Sequence, residues 1–211
     1  MLPYILENLA ENDVLVGCDE VGRGPGSGPV VAACVIWSKD YIPNSSEEEK
    51  MLDLVKDSKK VSAKNRERLT KFIKENALDY GIGIIDNNEI DRINILNATY
   101  KAMHLALDEL KIGFDRICVD GNRFKTYMDK NGNFIPHTSI VNGDNKLFQI
   151  AAASIIAKTY RDNLMLELHN SNEKLQVYGW DKNKGYLTKQ HINAIKEHGL
   201  TQYHRKSFIH V

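Results

Sequence analysis

The 211 residues hold 28 Lys+Arg against 28 Asp+Glu, a formal net charge of zero, so no global field announces a polyanion or a membrane surface as partner. With 42% hydrophobic and 27% charged residues, the composition is that of an ordinary globular chain with a sizeable core, and intrinsic disorder is excluded. The longest apolar runs are too short to span a bilayer, and the N-terminus lacks the basic start and long apolar stretch of a secretory signal, so a cytoplasmic protein is expected.

Leu2 to Leu9 reads as a short amphipathic lead-in, followed by a turn at Glu11-Asn12-Asp13. Val14 to Cys18 reads as a buried strand that runs into Asp19-Glu20 and then Gly22-Arg23-Gly24-Pro25. An apolar run ending in two acids sets carboxylates at the mouth of a sheet, and the glycines let backbone N–H groups approach a ligand closely. That combination suits a divalent metal beside a phosphate. Pro29 to Trp37, β-branched and nearly continuously apolar, is a central strand antiparallel to the first. Ser38 to Met51, with Pro43, Asn44, Ser45 and a run of glutamates, reads as a polar surface loop.

A helix is predicted over Ala63 to Asn76, with Ser62 as N-cap and Leu69, Phe72 and Ile73 as its apolar face. Leu78 to Ile85 is a strand whose two glycines allow another element to pack close. Glu89 to Leu110 reads as one long helix presenting Ile93, Leu96, Tyr100, Met103, Leu107 and Leu110 on one face. Phe114 to Val119 is a strand that delivers Asp120. Asn131-Gly132 marks a hairpin. Thr138 to Val141 is a short strand leading to Asn142-Gly143-Asp144, and a helix from Lys146 to His169 opens on a small-residue face, Ala151 to Ser154 and Ala157. A last helix, Lys189 to Glu197, has Thr188 as its cap and Gly199 as its stop.

Charge is unevenly spread. From Lys158 to Val211 there are nine Lys/Arg against five Asp/Glu, which fits either a phosphate-binding face or a plain solvated surface. Cys18, Cys34 and Cys118 lie in apolar segments without paired spacing and read as reduced core residues.

Asp19, Glu20, Asp120 and Asp144 each follow a predicted strand or begin the loop after it, and ends of neighbouring strands converge in space. Any one of them alone reads more readily as a turn former or helix cap. Together they form a cluster of like charges that needs a cation or retained protons. All-oxygen donors favour Mg²⁺ or Mn²⁺, and two such ions roughly 4 Å apart support in-line attack of water at phosphorus.

Asp19-Glu20-Val21-Gly22-Arg23-Gly24-Pro25, Asp57-Ser58-Lys59-Lys60, Val119-Asp120-Gly121-Asn122-Arg123, Ala151 to Lys158, Arg161-Asp162, Lys184-Gly185-Tyr186 and His204-Arg205-Lys206-Ser207-Phe208 together closely resemble the ribonuclease HII family, in the family's order and over nearly the whole chain. The resemblance implies an α/β, RNase H-like fold, a central mixed β-sheet flanked by helices with a small helical C-terminal part. Residues 1–170 would form the catalytic core and 171–211 a substrate-binding part packed on it.

The implied activity is endonucleolytic cleavage of RNA in RNA–DNA hybrids, and of duplex DNA on the 5′ side of a single embedded ribonucleotide, leaving 3′-hydroxyl and 5′-phosphate ends. By the same resemblance Asp19, Glu20, Asp120 and Asp144 ligate the metals. Gly22, Arg23 and Gly24 read the ribose 2′-hydroxyl through backbone groups. Tyr186 packs on the sugar, its alternative being a core or hinge tyrosine. Lys59, Lys158, Arg161, Lys184 and Arg205 are phosphate contacts or plain surface charges, and Arg161-Asp162 is alternatively a structural ion pair.

One departure is Asn142, where the family usually has lysine, with Lys146 as a possible substitute contact. A monomer is expected, with no tail motif for a sliding clamp. A ribonuclease HIII-like enzyme is the nearest alternative, disfavoured by Gly22-Arg23-Gly24 and the lack of an N-terminal extension. A non-catalytic hybrid-binding module is disfavoured by the full set of carboxylates.

Overall fold

The computed structural model describes residues 13–56 and 61–210, and the lead-in expected at Leu2 to Leu9 lies outside them. In chain order the elements are β1 (Leu15–Val21), β2 (Val30–Ile36), α1 (Ser46–Lys56), α2 (Ala63–Asn76), β3 (Asp79–Ile85), α3 (Asn87–Ile93), α4 (Ile95–Asp108) and β4 (Arg116–Asp120). They continue with β5 (Tyr127–Met128), β6 (Phe134–Ile135), β7 (His137–Ile140), α5 (Phe148–Ser171), α6 (Glu173–Gln176), α7 (Trp180–Asn183) and α8 (Lys189–His198).

Five strands form one sheet in the order β3-β2-β1-β4-β7. β1 runs antiparallel to β2, β2 antiparallel to β3, and β4 lies parallel to both β1 and β7, so the sheet is mixed as expected. β2 is buried at every position because helices cover both faces. On one side α4 seals Val16, Cys18, Ala32, Cys34 and Ile117. On the other, α5, α1 and α2 cover Val31, Ala33 and Val35. The glycines of β3 explain how close α4 lies, since a Cβ on Gly81 or Gly83 would run into the carbonyl oxygen of Ala106 or Ala102.

A third apolar cluster, Met165, Leu175, Tyr178, Trp180, Ala194 and Ile195, gathers α6, α7 and α8 around the far end of α5. All three cysteines are free and buried.

Three elements differ from expectation. β1 does not stop at Cys18: its ladder with β2 continues through Asp19↔Ala33, Glu20↔Ala32 and Val21↔Val31, so the two acids lie within the strand. The stretch expected as a polar loop contains α1. Ser45 Oγ accepts from the Glu48 amide at 3.2 Å and the Glu48 carboxylate accepts from the Asn44 amide at 2.7 Å, a reciprocal cap, with Glu47, Glu48 and Glu49 at the positive end of the helix dipole.

The long helix expected over Glu89 to Leu110 is broken in two at Asn94, whose φ of 64° ends α3 and whose side chain accepts from the Asn97 amide to start α4. The small residues Ala98, Ala102 and Ala106 share the buried face with Met103 and Leu107, and Leu96 is exposed.

Candidate active site

Successive residues of β1 alternate between the two sheet faces, which separates the paired acids. Asp19 faces α5, a helix that approaches so closely that a Cβ on Gly17 would lie 2.5 Å from the Ile150 amide nitrogen. There Ser154 lies on the side of the helix that acts on the Asp19 carboxyl and favours its ionised form. The Asp19 carboxylate also accepts from the Glu20 amide at 2.7 Å. Glu20 takes the opposite face and accepts from Arg23 Nη1 at 3.2 Å.

β4 brings in Asp120. Its register with β1 pairs Cys18 with Val119, so one step further on Asp19 and Asp120 stand level on neighbouring strands. Asp120 Oδ1 accepts from the Gly143 amide at 2.6 Å, which anchors the turn that carries Asp144. That turn is a short 3₁₀ segment, Gly143–Asn145, and Asp144 is 5% exposed with Asn145 Nδ2 on its Oδ1 at 3.1 Å. Asn142 precedes it at φ 53°, in the left-handed region that Asn adopts more readily than Lys. Asn142 and Lys146 are both exposed.

The electrostatics follow from this confinement. Burial, then the neighbouring Glu20 and Asp120 carboxylates, hold the Asp19 carboxyl well above its ordinary range against the pull of Ser154. Burial also raises Glu20, opposed chiefly by Arg23. Among the described residues no three acidic, histidine or cysteine side chains converge tightly enough, as they stand, to enclose an ion. The donor set is nonetheless that of a hard divalent cation, all carboxylate oxygen, and its like charges call for one.

The glycine-arginine loop lies beside these acids. Gly22 has φ 90°, and a Cβ there would strike the Arg161 side chain. Tyr186 is 46% exposed, with its ring over the loop: a Cβ on Gly24 would sit 3.4 Å from Tyr186 Cε1. Gly26 N–H donates to the Gly185 carbonyl at 2.9 Å, stitching the two segments together.

The basic residues divide. Lys158 is on the surface but tied to Asp162 at 2.8 Å, and Lys184 Nζ donates to the Asp181 carbonyl at 2.7 Å. Asp162 pairs with Lys158 and Arg66, not with its neighbour Arg161. Lys59 lies outside the described residues. Arg161 and Arg205 correct the reading as phosphate contacts, because both are 0% exposed and their guanidinium groups are taken up by backbone carbonyls. The sequence does not announce that Ser154 acts on Asp19, nor that His191 and His204 meet Nε2 to Nε2 at 3.1 Å behind Tyr186.

The ribonuclease HII family model matches residues 16–211. A ribonuclease HII from Phocaeicola vulgatus is 46% identical over 208 residues, which is 99% of this chain and 93% of that protein. Among solved structures, the ribonuclease H2 from Pyrococcus horikoshii OT3 superposes with a TM-score of 0.71 at 25% identity, over 92% of this chain and 93% of that one. The structure of Bst-RNase HIII in complex with Mn²⁺ shares the fold at a TM-score of 0.62 and 20% identity, over 88% of this chain and 63% of that one. A likeness that runs from the first strand of the sheet to the C-terminal helices, at nearly half identity, means that the chain belongs to the ribonuclease HII family and is a ribonuclease H, a phosphodiester hydrolase.

Proposed function

We propose that the enzyme is a metal-dependent endonuclease that cuts RNA in RNA–DNA hybrids and cuts duplex DNA on the 5′ side of a single embedded ribonucleotide, leaving 3′-hydroxyl and 5′-phosphate ends. The observation that carries this reading is that Asp19 and Asp120 stand level on neighbouring strands beside a glycine loop on which an exposed tyrosine ring rests. Asp19, Glu20, Asp120 and Asp144 would hold Mg²⁺ or Mn²⁺; the oxygen-only donor set supports this, as does the Mn²⁺ in the Bst-RNase HIII structure. A bound pair of such ions supplies a lowered water pKa and stabilisation of the departing oxygen.

The chain's own groups supply orientation. The Glu20 amide holds Asp19, and the Gly143 amide holds Asp120. Backbone groups of Gly22, Arg23 and Gly24 read the ribose 2′-hydroxyl, the one group that separates RNA from DNA at a single nucleotide. Tyr186 packs on that sugar. Lys158 and Lys184 are the partly exposed cations left for the phosphate backbone, and Lys59 is proposed as a further contact on its sequence motif alone. Residues 1–170 act as catalytic core and 171–211 as the substrate-binding part, packed on the end of α5 through Leu175, Tyr178, Trp180, Ala194 and Ile195. The protein is proposed to act as a cytoplasmic monomer, and no helix among the described residues is long and apolar enough to cross a membrane.

The test is cleavage of a duplex with one ribonucleotide beside an all-DNA control, with Mg²⁺ and with EDTA. A single cut is expected 5′ to the ribonucleotide, none in the control and none in EDTA. Asp120→Asn should fold normally and cut at least about a hundredfold more slowly. Cleavage of the all-DNA duplex at equal rate would overturn the 2′-hydroxyl reading, and undiminished cleavage by the variant would remove Asp120 from the site.

A further inference from the structure

The loop from Gly22 to Pro29 turns its carbonyls inward onto two arginines. Arg205 donates to Gly22 O (Nη2, 2.6 Å), Arg23 O (Nη1, 3.1 Å) and Gly28 O (Nε, 2.9 Å). Arg161 donates to Ser27 O (Nη2, 3.0 Å), Pro29 O (Nε, 2.9 Å) and Lys184 O (Nη1, 2.9 Å), the last on the segment that carries Tyr186. Neither arginine forms an ion pair with a carboxylate among the described residues, and both are fully buried. Burying two guanidinium groups without carboxylate partners is an expensive way to fill space, which a hydrocarbon side chain would fill at less cost. Burial lowers their pKa values to about 10 and about 9, so both stay charged at neutral pH.

Peptide geometry shows what the expense accomplishes. A trans peptide holds its N–H opposite its C=O, and there is no cis bond among the described residues. With the carbonyls of Gly22 and Arg23 both on Arg205, the N–H groups of Arg23 and Gly24 must face away from it. Arg23 and Gly24 are exposed, and their amides find no acceptor among the described residues. By contrast, the amides of Gly26 and Gly28 are consumed by the carbonyls of Gly185 and Tyr203. Arg205 is itself held in place: its guanidinium lies 5.1 Å from the centre of the Phe208 ring, and Asp91 accepts from the amides of Lys206 and Ser207.

We propose that Arg205 and Arg161 are positioning residues, a buried clamp that fixes the amides of Arg23 and Gly24 outward beneath Tyr186, so that the donors reading the ribose hydroxyl are set before substrate arrives. This rests on the 2′-hydroxyl reading proposed above. Lysine keeps the charge but cannot spread three donors over three carbonyls in a planar fork, so Arg205→Lys and Arg161→Lys isolate the clamp.

In each variant, kcat for the single-ribonucleotide duplex should fall at least about tenfold while KM changes less than about threefold, with the active fraction fixed by titration. In parallel, backbone amide resonances are followed as duplex is added in EDTA. In the wild type, Arg23 and Gly24 should shift with the ribonucleotide duplex and not with all-DNA, and the variants should lose that difference. A wild type that responds equally to both duplexes refutes the hydroxyl reading. A wild type that discriminates, beside folded variants that discriminate as well with kcat unchanged, refutes the clamp alone. Should both variants fail to fold, amide order parameters of the free wild-type protein decide: values near about 0.85 at Arg23 and Gly24 support a preset loop, and values below about 0.6 overturn it.

Discussion

Asp19 sits in an inhospitable place for a charge, 6% exposed beside a helix and near two other acids. Its folded pKa is raised above the unfolded one, so the folded state holds its proton more tightly; that contribution is full at low pH and lost as pH rises through the folded pKa. Ionising this carboxyl therefore weakens the metal-free protein. Asp19→Asn should raise the melting temperature in EDTA and abolish the further rise that Mg²⁺ gives the wild type. A variant that melts lower than the wild type in EDTA would show that Ser154 and the Glu20 amide outweigh the burial. The four acids proposed for the site stood out in the sequence because each ends or follows an apolar run. Ser154 did not, since a serine among alanines on a helix reads as packing, and only the close approach of α5 to Gly17 turns it toward Asp19. Nor did the roles of Arg161 and Arg205, whose partners are backbone carbonyls that leave no mark in a sequence.

At the scale of elements, β2, α2 and α8 were legible because their cues agree. β2 is apolar throughout, and Ser62 and Thr188 cap the two helices as expected. α1 was hidden because the residues that cap it, Asn44, Ser45 and Glu48, are the same types that make polar loops, and only their reciprocal bonds separate the two cases. The join of α3 and α4 was hidden because apolar periodicity runs on through it. Asn94 does two jobs there, adopting φ 64° and capping α4 through the Asn97 amide at 3.1 Å. Asn94→Ala removes the cap and places a Cβ-bearing residue without polar compensation at positive φ, so a loss of about 1–2 kcal/mol is expected in urea unfolding. Asn94→Gly keeps the backbone free and should lose only a few tenths of a kcal/mol. Equal losses from the two substitutions would show that the backbone angle does not matter there.

Across the whole molecule, the C-terminal helices meet the sheet through a buried polar seam that also backs the glycine loop. Ser27 bridges to His204, and the Arg205 amide donates to the Gly26 carbonyl at 2.8 Å. His191 Nδ1 faces the Tyr186 carbonyl at 3.0 Å, so that nitrogen carries the proton, leaving Nε2 to accept from Trp180 Nε1 and from His204 Nε2. His204 Nδ1 accepts from the Thr201 amide at 2.9 Å, which places its own proton on Nε2. The seam is thus satisfied only when both rings are neutral. Burial lowers His191, and burial together with His191 lowers His204 from 6.5 to about 4.

Between those pH values the unfolded chain binds a proton at His204 that the folded chain refuses, so stability falls as pH drops through the window, by up to about 3 kcal/mol at its lower end. Urea unfolding at steps from pH 7 to pH 4 should show this loss. His204→Asn keeps an acceptor for Thr201 and cannot take the proton, so its stability, lower at pH 7, should fall less steeply with acid. The loss should also appear first at Tyr186 and the glycine loop, as amides of residues 22–28 and 185–187 begin to exchange faster than those of β2. Parallel slopes for variant and wild type would show that the acid sensitivity does not arise at His204.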